Sequence, residues 1–156
     1  MKHLKIRIEA AQEAYKNGND EIKKFLINLH GKEHFITDVK ERVTDYASAC
    51  KELNILQVTI EQFGFMGDDA KRYYARYQLT IIVRALIGDW KPDWKNYSEY
   101  KYYNYFYWDK DKKCFSSSSS YFYDLCDSGS DLYFPTRELA DYARVKFAQL
   151  YIDYLF

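Results

Sequence analysis

The stretch KYYNYFYW (101–108), followed by DKDKK (109–113) and CFSSSSSYFYDL (114–125), decides the fold. Strand-favouring aromatic residues crowd both sides of a charged run that suits a turn, so the segment reads as a β-hairpin. The serines at 116–120 lie between Phe115 and the Tyr121, Phe122, Tyr123 triplet, which makes them polar strand rather than linker. Beyond the turn-forming CDSGS (126–130), DLYF (131–134) adds a further aromatic run, and the expectation is a three-stranded antiparallel meander. Successive side chains on a strand point to opposite faces. Tyr103, Tyr105 and Tyr107 therefore share one face, and Tyr102, Phe106 and Trp108 share the other. Both faces of the first strand are aromatic.

Downstream, Pro135 and Thr136 open a helix to the C-terminus, on which Leu139, Ala140, Ala143, Phe147, Leu150, Tyr151 and Tyr154 fall on one face suited to packing on the sheet. Val145, Ile152 and Phe156 recur near seven-residue spacing on the side away from that stripe. Upstream, GDWKPDWKNYSEY (88–100) joins a Gly-Asp turn to a proline that forbids helix continuation, and its two tryptophans are placed to pin the loop. A long helix is predicted from about Asp69 to Ile87, with Tyr73, Tyr74, Tyr77, Ile81, Ile82 and Ala85 as a broad stripe and Gly88 as its stop. Lys71, Arg72 and Arg76 lie off that stripe, and Arg72, Arg76 and Arg84 form no single clean stripe and read as a solvated face.

Further back, Ile22, Phe25, Leu26 and Leu29 have helical spacing, with Asn19 or Asp20 as cap and Gly31 as terminator. Tyr46, Ala49, Cys50 and Leu53 repeat the pattern with Thr44 as the candidate N-cap, and residues 8–17 form a weaker helix ended by Asn-Gly-Asn at 17–19. The predicted architecture is α+β: N-terminal helices, a small three-stranded antiparallel sheet and a C-terminal helix packed on it. It is expected to be one domain over 1–156, with 1–88 a mostly helical layer and 89–156 the sheet plus final helix.

Of the 17 tyrosines in 156 residues, nine lie between Tyr97 and Tyr133, a density that suits a contact surface better than a dry core. Lys plus Arg and Asp plus Glu are both 23, and residues 1–35 and 91–113 each carry an excess of only two positive charges. Zero net charge disfavours nucleic acid as a partner, because phosphate neutralisation supplies most non-specific affinity. Cys50, Cys114 and Cys126 are an odd number in no metal-ligand spacing and read as reduced thiols. MKHLKIRIEAAQEAY has no continuous apolar region, and no stretch approaches 18 apolar residues. A soluble, cytoplasmic protein without a membrane partner is expected.

Within residues 79–156, the runs LTIIVRALIGDWKPDWKN, EYKYYNYF, GSDLYFPTRELADYA and FAQLYIDYL resemble an uncharacterised family of small proteins from prophage and mobile-element regions of gut bacteria. The resemblance implies an origin and no chemistry, since the family has no assigned activity, cofactor or catalytic residues. Where the family commonly has proline and glycine, this chain has Asn104 and Arg144. The second change favours an uninterrupted final helix.

Candidate chemistry is sparse. His30 and His34 have the i, i+4 spacing of zinc ligands, but Gly31 interrupts the helix, Gly occupies the glutamate position of a zincin motif, and no third ligand is evident. They read as loop histidines. Asp124, Asp127 and Asp131 around Gly129 depart from a calcium-loop pattern and read as turn residues. No serine or cysteine has a recognisable base partner, and the glycine patterns of phosphate and dinucleotide loops are absent. No catalytic residue, metal ligand or cofactor is assigned, and the expectation is a non-enzymatic protein. Its binding candidates are Trp90, Trp94, Tyr103, Tyr105, Tyr107 and Trp108, facing a protein partner or a second copy. The alternative is single-stranded nucleic acid stacked on the same rings, with Lys91, Lys95 and Lys101 nearby.

Overall fold

The computed structural model describes residues 7–122 and 132–156, and the chain divides between Arg42 and Val43 into two compact units. In the first, α1 (Ile8–Asn17) and α2 (Asp20–His30) form a helical pair, followed by a short 3-10 turn (Lys32–His34) and α3 (Val39–Arg42). Asn19 caps α2 through its side-chain oxygen, which accepts from the Ile22 N–H at 3.0 Å. Gly31 stops it with φ 93°, a conformation that favours glycine. Tyr15 stacks on Phe35 with ring centroids 4.9 Å apart.

The second unit begins with α4 (Tyr46–Glu52). Its N-cap is Asp45, not the expected Thr44: the Asp45 carboxylate accepts from Ser48 N at 2.7 Å, and Ser48 Oγ accepts from Asp45 N at 3.0 Å. This reciprocal capping pair outcompetes the single threonine. A 3-10 segment (Ile60–Asp69) leads into α5 (Ala70–Ile87), which ends at Gly88 with φ 58°. Leu79, Ile81, Ile82, Val83, Ala85 and Leu86 are all buried. Burial this continuous marks a central helix, and α4, α6 (Arg137–Lys146), α7 (Ala148–Leu155) and the 3-10 segment all pack on it. The Tyr46 hydroxyl accepts from Val58 N and the Tyr74 hydroxyl donates to Val58 O, so two phenols satisfy the backbone of the preceding connection.

The final helix is interrupted. Phe147 has φ −114° and ψ 25°, and the break divides the expected continuous helix into α6 and α7. Phe147 is buried against Tyr142, and burying that ring fixes the corner. Arg72 and Arg84 are exposed, as a solvated face requires, while Arg76 is half-buried, and part of this face also meets α7. The Arg72 Nε donates to the Tyr154 carbonyl at 2.9 Å, the Arg76 guanidinium lies 5.0 Å from the Tyr154 ring, and Lys71 pairs with Asp153 at 2.9 Å. All three bases hold α7 on α5.

The sheet among the described residues has two antiparallel strands, β1 (Lys101–Asp109) and β2 (Cys114–Phe122), in the register Lys101↔Phe122 through Asp109↔Cys114. Asp109 accepts from the N–H groups of Asp111 and Lys112, both at 3.0 Å, which closes the turn. Among the described residues, the expected third strand is represented by one bridge, with Tyr102 and Phe134 exchanging backbone hydrogen bonds of 3.0 and 2.8 Å. Pro135, lacking an N–H, follows at once, and the helix begins two residues later. The fold is α+β, with α6 against the hairpin.

The hairpin face toward α6 carries Asn104, Phe106, Ser117 and Ser119. Asn104 Nδ2 donates to Ala140 O at 2.9 Å and to the Tyr151 hydroxyl at 3.2 Å. Ser119 Oγ reaches Asn104 Oδ1 at 2.7 Å and Asp141 Oδ1 at 2.8 Å, to either of which it donates. Arg144 joins Asp141 to the Ser117 carbonyl and hydroxyl. Phe106 stacks on Tyr151 at 4.9 Å, adding apolar contact beside this polar seam.

Replacing Asn104 by Leu removes the amide's bonds to the Ala140 carbonyl and the Tyr151 hydroxyl, leaves Ser119 with Asp141 alone, and is expected to cost about 1–3 kcal/mol in urea denaturation. Burial raises the Tyr151 phenol from its ordinary 10.0 to about 12, against smaller opposing effects of Asn104 and Arg76. A raised pKa means stability that is complete below pH 10 and lost as pH climbs toward 12. Unfolding free energy should therefore fall across that window, and Tyr151→Phe should flatten the fall.

Candidate interaction surface

The loop before β1 is organised by one buried cation. Lys101 is fully buried, and its Nζ donates to Asn96 O and Glu99 O, both at 3.0 Å, and pairs with Glu99 Oε2 at 3.2 Å. The same ammonium lies 5.7 Å from the centre of the Trp94 ring. Glu99 in turn accepts from the Trp90 indole N–H at 3.2 Å and from Asp93 N at 2.7 Å. With its charge paired and its donors used, Lys101 ties both tryptophans to the start of the hairpin. It is unavailable for a phosphate.

From that anchor an aromatic row runs along the sheet face opposite α6. Trp94 meets Tyr133 edge-on at 5.2 Å, Tyr133 meets Tyr103 at 6.4 Å, and Tyr105 and Tyr107 follow at 6.4 and 6.1 Å. Phe122 stacks on Tyr103 at 4.5 Å from the neighbouring strand. Tyr133 is buried, whereas Tyr105 and Tyr107 are 43% and 46% exposed. Opposite them on β2 stand Ser116, Ser118 and Ser120, all half-buried. The row thus has a fixed inner end and an open outer end, beside a line of hydroxyls.

The six sequence-derived candidates are not one patch. Tyr103, Tyr105 and Tyr107 share this face, and Trp94 joins them through Tyr133. Trp90 is half-buried and committed to Glu99. Trp108 points to the opposite face near the hairpin turn, where it meets Phe115 edge-on at 5.3 Å. Phe115 stacks in turn on Phe156 at 4.3 Å, although Phe156 and Val145 remain exposed. Sequence reasoning missed Glu99 and Tyr133, and it set Lys101 beside the rings as a phosphate contact where the structure buries it against Glu99. The available signal was Lys101 itself, the one charge inside KYYNYFYW.

His30 and His34 both lie edge-on to Phe35, at 6.1 and 6.5 Å. Cys50 is a buried free thiol and Cys114 an exposed one. The acidic cluster Asp124, Asp127 and Asp131, with Cys126, lies outside the described residues. A shallow, open depression lined by Arg7, Ile8, Glu9, Ala10 and Glu13 on α1 brings together no nucleophile and base. Among the described residues, no helix is long and apolar enough to cross a membrane. Comparison of the chain with family models, curated proteins and solved structures returns no match.

Lys101→Met leaves Glu99 and two carbonyls without their cation, and an expected loss of about 3 kcal/mol should be measurable by thermal melting. A Lys95→Met control, altering an exposed side chain in the same loop, should stay within about 0.5 kcal/mol of the parent.

Proposed function

We propose that the chain is a non-enzymatic accessory protein that binds a protein partner through the outer end of the aromatic row, centred on Tyr105 and Tyr107. The observation that carries this reading is the exposure of two adjacent phenols on a sheet face whose inner end is anchored by Trp94, Tyr133 and Lys101. Rigid aromatic rings with polar tips lose little entropy on binding, which is why Tyr and Trp carry most of the energy in many interfaces. The serine line beside them offers hydroxyls that donate or accept as a partner's backbone requires. The resemblance of residues 79–156 to prophage and mobile-element proteins supports an origin in such an element, and the soluble character of the sequence supports action in the cytoplasm.

Single-stranded nucleic acid is the second reading. It is favoured by the near-parallel Tyr105 and Tyr107 rings, whose planes differ by 27°, since sequence-tolerant stacking uses open aromatic faces. The internal pairing of Lys101 and the zero net charge weigh against it.

The test compares the parent with a Tyr105→Ala/Tyr107→Ala variant in affinity capture from host lysate, after thermal melting has shown both folded. Loss of specific captured proteins from the variant is the expected result. Equal capture by both chains contradicts the protein-partner reading, and fluorescence quenching by oligonucleotides that weakens with salt supports the second reading in its place.

A further inference from the structure

Tyr102 exchanges both of its backbone hydrogen bonds with Phe134, so its N–H and C=O point away from β2. Backbone direction alternates along a strand, and in the register of the hairpin Phe115, Ser117, Ser119 and Tyr121 therefore direct their backbone groups away from β1, toward the other edge of β2. The Arg144 guanidinium reaches the Ser117 carbonyl from outside the ladder, as this direction requires. Among the described residues, no strand pairs with that edge. Edge strands in folded proteins are guarded by charges, proline or a bulge. Between Cys114 and Phe122, β2 has no charged residue and no proline, and its register with β1 runs without a bulge.

We infer that the open edge of β2 pairs with the same edge of a second copy of the chain, antiparallel about a two-fold axis at Ser118, giving the strand order β1-β2-β2-β1. Two observations select a second copy. The register closes: with Ser118 on the axis, each Ser117 faces the other copy's Ser119 and each Phe115 the other copy's Tyr121, so outward-facing residues oppose outward-facing residues throughout. Charge is complementary in the same register. Arg144 bonds to Ser117 and Asp141 to Ser119, so this pairing brings each Arg144 alongside the other copy's Asp141 and alternates the charges across the axis. Arg144 also touches the Ser117 hydroxyl on the α6 face, and the Ser117 carbonyl keeps a second lone pair for the incoming Ser119 N–H. Phe115, half-buried, and Tyr121, exposed, become a cross-strand aromatic pair on that face. An isologous contact of this kind closes on itself as a dimer. It leaves Tyr105 and Tyr107 on β1 open and is independent of the surface proposed for a protein partner.

The experiment is sedimentation equilibrium of the full chain between about 5 and 500 µM. The mass should rise to that of a dimer and no further. Ser118→Lys sets two like charges side by side on the axis and should weaken association at least tenfold, and an equimolar mixture with Ser118→Glu should restore the dimer. Tyr105→Ala/Tyr107→Ala should associate as the parent does, which separates this edge from the tyrosine surface. Directly opposed residues that exchange no backbone bonds have Cα atoms about 4.5 Å apart, within disulfide reach. With Cys114 and Cys126 replaced by serine, Ser118→Cys should therefore give a disulfide dimer on air oxidation, a readout that holds even where thermal melting shows the charged variants unfolded. A constant monomer mass, masses beyond the dimer, association unaffected by Ser118→Lys, folded Lys and Glu variants that stay monomeric when mixed, or failure of Ser118→Cys to crosslink would overturn the inference.

Discussion

The Asn104 amide fixes which side of the hairpin the helices cover. Both faces of β1 are aromatic, so burial of apolar area alone would serve either orientation, and a one-residue change of register would exchange them. Polar matching breaks the tie. Asn104, Ser117 and Ser119 stand where Ala140 O, Asp141, Arg144 and the Tyr151 hydroxyl can satisfy them, and these partners all belong to the two final helices. In the reversed orientation Tyr103, Tyr105 and Tyr107 would face that polar helix surface and its donors and acceptors would be left unmatched.

Everything described for the aromatic row follows from this choice. Because the seam holds one face inward, the tyrosine ladder and its serine neighbours are turned outward, and Lys101, at the head of the same face, is buried under the loop that carries Trp94. A buried lysine is costly unless fully paired, and here two carbonyls, a carboxylate and an indole face share the work. The consequence is a surface anchored at one end and open at the other.

Much of the local structure was legible in the sequence. The Asn19 cap, the Gly31 and Gly88 stops, the Thr136 start and the hairpin each depend on a few neighbouring residues, and local chemistry settles them. What escaped depends on distant partners. The helix break at Phe147 comes from where a buried ring must go, the contacts of Arg72 and Arg76 come from α7 lying across α5, and among the described residues a Tyr102–Phe134 bridge stands where the aromatic pattern suggested a strand. Ile22, Phe25 and Leu29 have the expected helical period and stand exposed, since periodicity defines an apolar stripe without saying what covers it. For the surface, the shared face of the β1 tyrosines and the opposite face of Trp108 were legible by alternation alone, whereas adding Tyr133 required the fold.

The outward orientation of the tyrosine ladder is the claim on which the functional reading stands, and nitration by tetranitromethane followed by peptide mass mapping measures it directly. Tyr105 and Tyr107 should be modified early in the folded protein, while Tyr133 and Tyr151, both buried, should react only after unfolding. Protection of Tyr105 and Tyr107 to the same degree as Tyr133 would contradict it.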